Sequence, residues 1–202
     1  QTVTALKALG VKAEILDGVL PQGKTDVAGL MAGTASFDWA ASGSAILPGA
    51  ICEHLTSFGG AFGDGQTSIA RFMEAGAAGS AGTVSEPYAL QFKFPFAFVH
   101  VHYVRGASLG EALYQSIGSP YNILVLGDPL CQPWAVPPPL EVDGLAAGQE
   151  VTEPVRILPK SGAALSRIAV ALDGRYAAIL PPGTEYTLDP QALAAGPHEL
   201  RL

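Results

Sequence analysis

One short run, Cys52-Glu53-His54-Leu55-Thr56-Ser57, brings together a thiol, a carboxylate, an imidazole and two hydroxyls just ahead of Gly59 and Gly60. A thiolate nucleophile with a histidine base is the chemistry these types suggest, which makes Cys52 and His54 the candidate catalytic pair. Their spacing works against it. Residues i and i+2 share a face only in a strand, where they stand parallel at about 6–7 Å, too far for direct proton transfer. A bend after Ile51 would be needed to close that gap. Glu53 points the other way in an extended chain, and its charge would raise a nearby thiol pKa. A Cys–His dyad normally draws its histidine from elsewhere in the fold. The other histidines are His100, His102 and His198, and none precedes Cys52. The competing reading is a thiol packed under a sheet, since free Cys behaves as a small apolar residue. On that reading Cys52 is buried without a histidine nitrogen within ~4 Å. His54 then anchors its loop through Thr56, Ser57 or Glu86.

The remaining polar residues carry weaker signals. His100 and His102 alternate along a β-like run, which suits a metal pair, but a third ligand is not evident. A surface strand is the plainer expectation, with no metal and no cofactor. Gly59, Gly60, Gly63 and Gly65 would suit an anion cradle. They lack the Lys and the spacing of a phosphate loop, so a tight turn is expected. Asp128 before Pro129 reads as a carboxylate that structures its loop. Cys52 and Cys131 either pair in an oxidising compartment or, more plainly, are two separate buried thiols.

These groups need elements to position them. QTVTALKAL (1–9) opens as a helix and VKAEILDG as a strand. DVAGLMAGTA and the run near 45–52 suit buried parallel strands. QTSIARFMEAG is a helix that stops at Gly76, and AAGSAGTV is a small-residue strand. An aromatic excursion fills 86–106. SLGEALYQSIG is a helix with a capping box, Ser108 with Glu111. YNILVLGDP is an apolar strand. Alternating strands and helices predict an α/β fold with a mainly parallel sheet, strands 26–32, 46–52, 77–84 and 122–127. Ligands gather beyond the carboxyl ends of such strands. His54 with the candidate binding residues Thr56, Ser57, Glu86 and Asp128 should therefore cluster at one edge. Pro137, Pro138 and Pro139 then make a stiff linker. Beyond them EVDGL, EPVRILP, RIAVALDG, RYAAILP and HELRL repeat short period-two runs, a small antiparallel β-sandwich. The expected division is 1–135 and 139–202, with the second part cut off after Leu202.

Composition narrows the function. The chain has 202 residues, 49% of them hydrophobic and only 14% charged, so a folded core rather than disorder is expected. Eleven basic against 18 acidic residues leave a net charge of -7, which opposes phosphate backbones and anionic lipid. Nucleic acid is therefore not the expected partner. No apolar run reaches the ~18 residues of a membrane span. The first residues lack a leader's basic-then-apolar pattern. The chain reads as a piece of a longer protein.

Several segments in order carry a resemblance: PGAICEHLTSFGG (48–60), EAGAAGSAGTVSEPY (74–88), FKFPF (92–96), GASLGEALYQSI (106–117) and GDPLCQPW (127–134), with FDWA at 37–40. Over roughly 26–135 the chain resembles an uncharacterised bacterial family remotely similar to gingipain-type cysteine peptidases. The resemblance implies a caspase-like sheet flanked by helices and followed by an immunoglobulin-like domain. It places Cys52 at the end of the strand that carries the nucleophile in such peptidases, although members of the family often have a small residue there. The catalytic histidine would lie near 33–44, and GTASFDWAASGS contains none. A first strand expected before the opening helix is also absent, which implies an upstream segment or another chain. The expectation is thus an extracytoplasmic, secreted or surface protein with a caspase-like domain lacking peptidase activity, which binds a protein or peptide. The alternative is a cysteine peptidase with Cys52 as nucleophile.

Overall fold

The computed structural model describes residues 1–63 and 65–202. They fall into two compact units, Gln1–Val136 and Pro137–Leu202, divided beside the proline run.

The first unit is α/β. Its elements are α1 (Thr2–Ala8), β1 (Val27–Ala32), β2 (Ile46–His54), α2 (Ala70–Glu74), β3 (Gly79–Thr83), α3 (Val99–Val104), α4 (Leu109–Ser116) and β4 (Ile123–Gly127). The sheet runs in the order β1-β2-β3-β4. β1, β2 and β3 are parallel, with Leu30 opposite Cys52 and Ile51 opposite Gly79. Side chains alternate across the sheet. One face, with Ile51 and Ala81, packs on Val99 and Tyr103 of α3 and Leu109 and Leu113 of α4. The other, with Ala50 and Cys52, packs on Phe72 of α2 and on Phe37 and Trp39. α4 begins at the expected capping box: Ser108 Oγ accepts from Glu111 N–H, and Glu111 Oε2 accepts from Ser108 N–H. β3 is built of small residues because backbone and helix lie directly on it. A Cβ at Gly79 would stand 2.2 Å from Leu109 Cδ1, and one at Gly82 would stand 2.5 Å from Gly60 N.

Three expectations are corrected. β4 is antiparallel to β3, with Thr83 opposite Ile123 and Gly79 opposite Gly127. The sheet is mixed, not wholly parallel. The cause is α3, which occupies the stretch expected as a strand around His100 and His102. One helix between two strands carries the chain across the sheet and makes the strands parallel. Two helices, out and back, return it to the end it left: Val84 N–H donates to Asn122 O at 3.0 Å. The run VKAEILDG, expected as a strand, has no strand pairing. Its charged residues instead reach Asp26 from Lys12 and Lys24 from Glu14 by side-chain ion pairs.

The second unit contains two three-stranded antiparallel sheets. One joins β5 (Glu141–Asp143), β6 (Val155–Lys160) and β9 (Tyr186–Leu188) in the order β5-β6-β9. The other joins β7 (Ile168–Leu172), β8 (Arg175–Leu180) and β10 (Leu200–Arg201) in the order β10-β7-β8. Ile157, Ile168, Val170, Leu180 and Leu188 are its buried apolar residues and come from both sheets. Asp173 and Gly174 both take positive φ, 50° and 76°, as the two-residue turn between β7 and β8 requires.

Candidate functional site

β2 delivers Cys52, Glu53 and His54 into the interior, and all three are fully buried. Strand alternation sends Cys52 and His54 to the α2 face and Glu53 to the opposite one. The Cys52 thiol lies in the cluster with Ile46, Ala50 and Phe72. Burial pushes its pKa far above the ordinary thiol value, and the neighbouring Glu53 charge adds to the rise. A thiol so placed is protonated at neutral pH and has no path to a substrate.

His54 is not its base. The ring sits edge-on to Phe37 and Phe72, with centroids at 4.9 and 6.4 Å. Nε2–H donates to Thr34 O at 2.6 Å, and Nδ1 is buried without a hydrogen-bond partner among the described residues. Neither nitrogen bonds the thiol. Burial lowers the His54 pKa, so the ring is neutral. It ties the end of β2 to the loop after β1, an anchoring role. The partner is Thr34, not Thr56, Ser57 or Glu86.

Glu53 is the residue that sequence reasoning undervalued. Its Oε1 accepts from Ala81 N–H at 3.0 Å, and its Oε2 is buried without a partner among the described residues. The carboxyl takes over where the β2–β3 ladder stops, since the two strands register only at Ile51 and Gly79. Burial raises its pKa to about 8, so it is largely neutral at pH 7, and its influence on Cys52 is felt fully only above that. The signal was available: a carboxylate inside an apolar parallel strand is covered on both faces.

The expected cluster of five forms only in part. Thr56 Oγ1 donates to Gln66 Oε1, and the carbonyls of Thr56 and Ser57 both accept from Thr83 Oγ1, at 2.6 and 2.7 Å. These residues close the loop after β2 onto β3. Gly59 and Gly60 complete the closure as the expected tight turn. A Cβ at Gly60 would lie 2.4 Å from Gly82 O, and Gly60 N–H donates to Thr83 O. The protein's own backbone therefore fills this side of the strand-end crevice. Glu86 follows β3 at the same end of the sheet, but it is exposed and its Oε1 accepts only from Tyr88 N–H of its own turn. Asp128 lies at the opposite end, because β4 runs the other way. It accepts from Leu130 N–H, and its own N–H donates to Ala78 O. It structures its loop, as the alternative reading expected, and has no place in the proposed site.

His100 was also misplaced. It lies on α3 and lines a cleft of about 520 Å³ beside β1, together with Leu6, Val27, Leu30, Met31 and Tyr103. Its ring rests on Gly29, where a Cβ would come within 2.8 Å of Nδ1. Burial lowers its pKa to about 4, so the ring is neutral at physiological pH. His102 packs on Phe98. On a helix the two histidines, two residues apart, do not share a face as they would on a strand, and no group of three or more His, Cys, Asp or Glu side chains placed to hold a metal ion occurs among the described residues. Cys52 and Cys131 are both free thiols, one packed on each face of the sheet. Tyr103 Oη donates to Gly49 O at 2.8 Å and lies 3.3 Å from Cys131 Sγ. No helix among the described residues is long and apolar enough to cross a membrane. Comparison with known proteins found no matching family model, no matching curated protein and no matching solved structure.

Proposed function

We propose that this chain belongs to an extracytoplasmic bacterial protein whose first unit is a gingipain-type, caspase-like domain without peptidase chemistry. The domain acts by binding a protein or peptide, and the second unit is an immunoglobulin-like spacer or adhesion module. The observation that carries the reading is the burial of Cys52 on a core face, with its thiol pKa raised and neither His54 nitrogen hydrogen-bonded to it. A working thiol peptidase needs exposure, a base within reach and room for an oxyanion. Here Gly59 and Gly60 lie against β3 where that room would be. The concave, mainly apolar feature that supports a binding role is the cleft beside β1, whose size is ordinary for a ligand site. The bacterial family and the location outside the cytoplasm rest on the sequence resemblance.

Thiol reactivity tests the reading. A thiol-directed activity probe at neutral pH, followed by peptide mapping, should leave Cys52 unlabelled in the folded chain and label it after unfolding. The half-buried Cys131 serves as the internal reference. Rapid labelling of Cys52 in the folded chain, with peptide hydrolysis abolished in Cys52→Ala, would make the cysteine-peptidase reading the correct one.

A further inference from the structure

The second unit holds a histidine in the opposite condition. His198 Nδ1 lies 2.7 Å from Asp173 Oδ2, and its Nε2 lies 2.7 Å from Ala194 O. A backbone carbonyl only accepts hydrogen bonds, and an ionised carboxylate likewise only accepts. Both ring nitrogens must therefore carry hydrogen for both contacts to form, so this geometry belongs to the imidazolium. A neutral ring keeps one proton and leaves a lone pair facing an oxygen.

What the ring holds together is specific. Asp173 sits in the β7–β8 turn. Its Oδ1 accepts from Glu199 N–H at 2.9 Å, and its own N–H donates to Glu199 O at 2.8 Å. The next residues form β10, with Leu200 opposite Leu172 and Arg201 opposite Ala171. β10 is the edge strand that covers β7. We propose that Asp173, His198 and Ala194 form a proton-operated clasp that fastens β10 to the β7–β8 hairpin, closed while His198 carries both ring protons. Opening the clasp frees the loop ending at His198 and loosens β10, which bares the backbone edge of the apolar strand β7.

The charged groups around the ring agree with this. Asp173 faces it from the turn, Arg175 begins β8, and Glu199 and Arg201 follow it in the chain, paired with each other at 2.8 Å. The preceding loop, Pro190–Pro197, has no ionisable side chain. Of these groups Asp173 is the one hydrogen-bonded to the ring. With the Ala194 carbonyl it raises the His198 pKa, while the Glu199 N–H and His198 hold the Asp173 carboxyl below its ordinary value. A raised histidine pKa places the clasp's contribution below the ordinary histidine value, and it is lost as pH rises through the folded-state pKa.

Nuclear magnetic resonance of the full chain tests the clasp. Ring nitrogen shifts and amide exchange are followed from about pH 5 to about pH 9. Both ring nitrogens should be protonated at about pH 6, with the titration midpoint above ~6.5. Exchange protection of the Glu199 amide, corrected for its intrinsic pH dependence, should fall about tenfold across that midpoint. Asp173→Asn should lower the midpoint and remove the step. If that variant does not fold, the ring titration in the unaltered chain decides the matter. A ring already neutral at about pH 6, or a Glu199 amide indifferent to pH, would overturn the proposal.

Discussion

His54 and His198 belong to the same residue type and end up in opposite states. His54 is enclosed by Phe37 and Phe72 with one carbonyl partner, and burial lowers its pKa. His198 is partly exposed between a carboxylate and a carbonyl, which raise its pKa. The carboxylates beside them diverge in the same way. Glu53 is pushed up to about 8, whereas Asp173 is held low by an amide and the imidazole. The contrast shows why a sequence run rich in thiol, carboxylate and imidazole need not be reactive. Desolvation without compensating partners neutralises such groups, and partners at the surface keep them charged.

The largest expected effect comes from Glu53. In the unfolded chain it loses its proton near the ordinary 4.5, and in the folded unit it keeps the proton to about 8. Stability is therefore lost as pH rises between these values and levels off above, a change of roughly 3–5 kcal/mol at about 1.4 kcal/mol per unit. Both tryptophans lie in the first unit, so their fluorescence in a denaturant titration follows that unit alone. Glu53→Gln should flatten the pH dependence over this window. An unchanged slope would mean that Glu53 is ionised and solvated, and the contrast with Asp173 would fail.

Next is the wall that keeps the thiol and His54 dry. Phe72 is fully buried and stacks on Phe37 at 4.7 Å. Phe72→Ala should cost about 3–5 kcal/mol in the same titration. It should also speed thiol labelling of Cys52, by admitting solvent to that face. Cys52 reactivity that stays at the wild-type rate would show that another element shields it.

The smallest effects belong to carboxylates that hold only their own turns. Asp128→Ala removes one hydrogen bond to Leu130 N–H and should cost about 0.5–1.5 kcal/mol. Glu86→Ala, at an exposed turn, should stay within about 0.5 kcal/mol. Neither should change Cys52 labelling. A change at Asp128 would link two ends of the sheet that the strand directions separate.

Periodicity was enough to place most elements of the first unit. The run QTSIARFMEAG with its stop at Gly76 marked α2, Ser108 and Glu111 marked the start of α4, and the apolar run YNILVLGDP marked β4. The local alternation Val-His-Val-His-Tyr misled, because Val99, Val101 and Tyr103 are buried on a short helix packed against both α1 and α4. β9 escaped notice because three residues carry almost no period. In the site, the turn at Gly59 and Gly60 and the poor geometry of Cys52 with His54 could be reasoned from spacing. The bond from His54 to Thr34 and the bond from Ala81 N–H to Glu53 could not, because both depend on neighbours brought in by other parts of the chain.

The sequence by itself determined which segments are apolar, where helices begin and stop, and that Cys52 and His54 are poorly spaced for catalysis. These follow from side-chain chemistry and from local geometry that repeats every two or 3.6 residues. Only the tertiary structure decided strand direction, and with it the end of the sheet that receives Asp128. An apolar run reads the same whichever way its strand is laid down, because alternation has no polarity. Direction came from the two helices between β3 and β4, which return the chain to the end it left. The charge states were decided there too, because a pKa is set by the solvent, dipoles and charges that the fold gathers around a group.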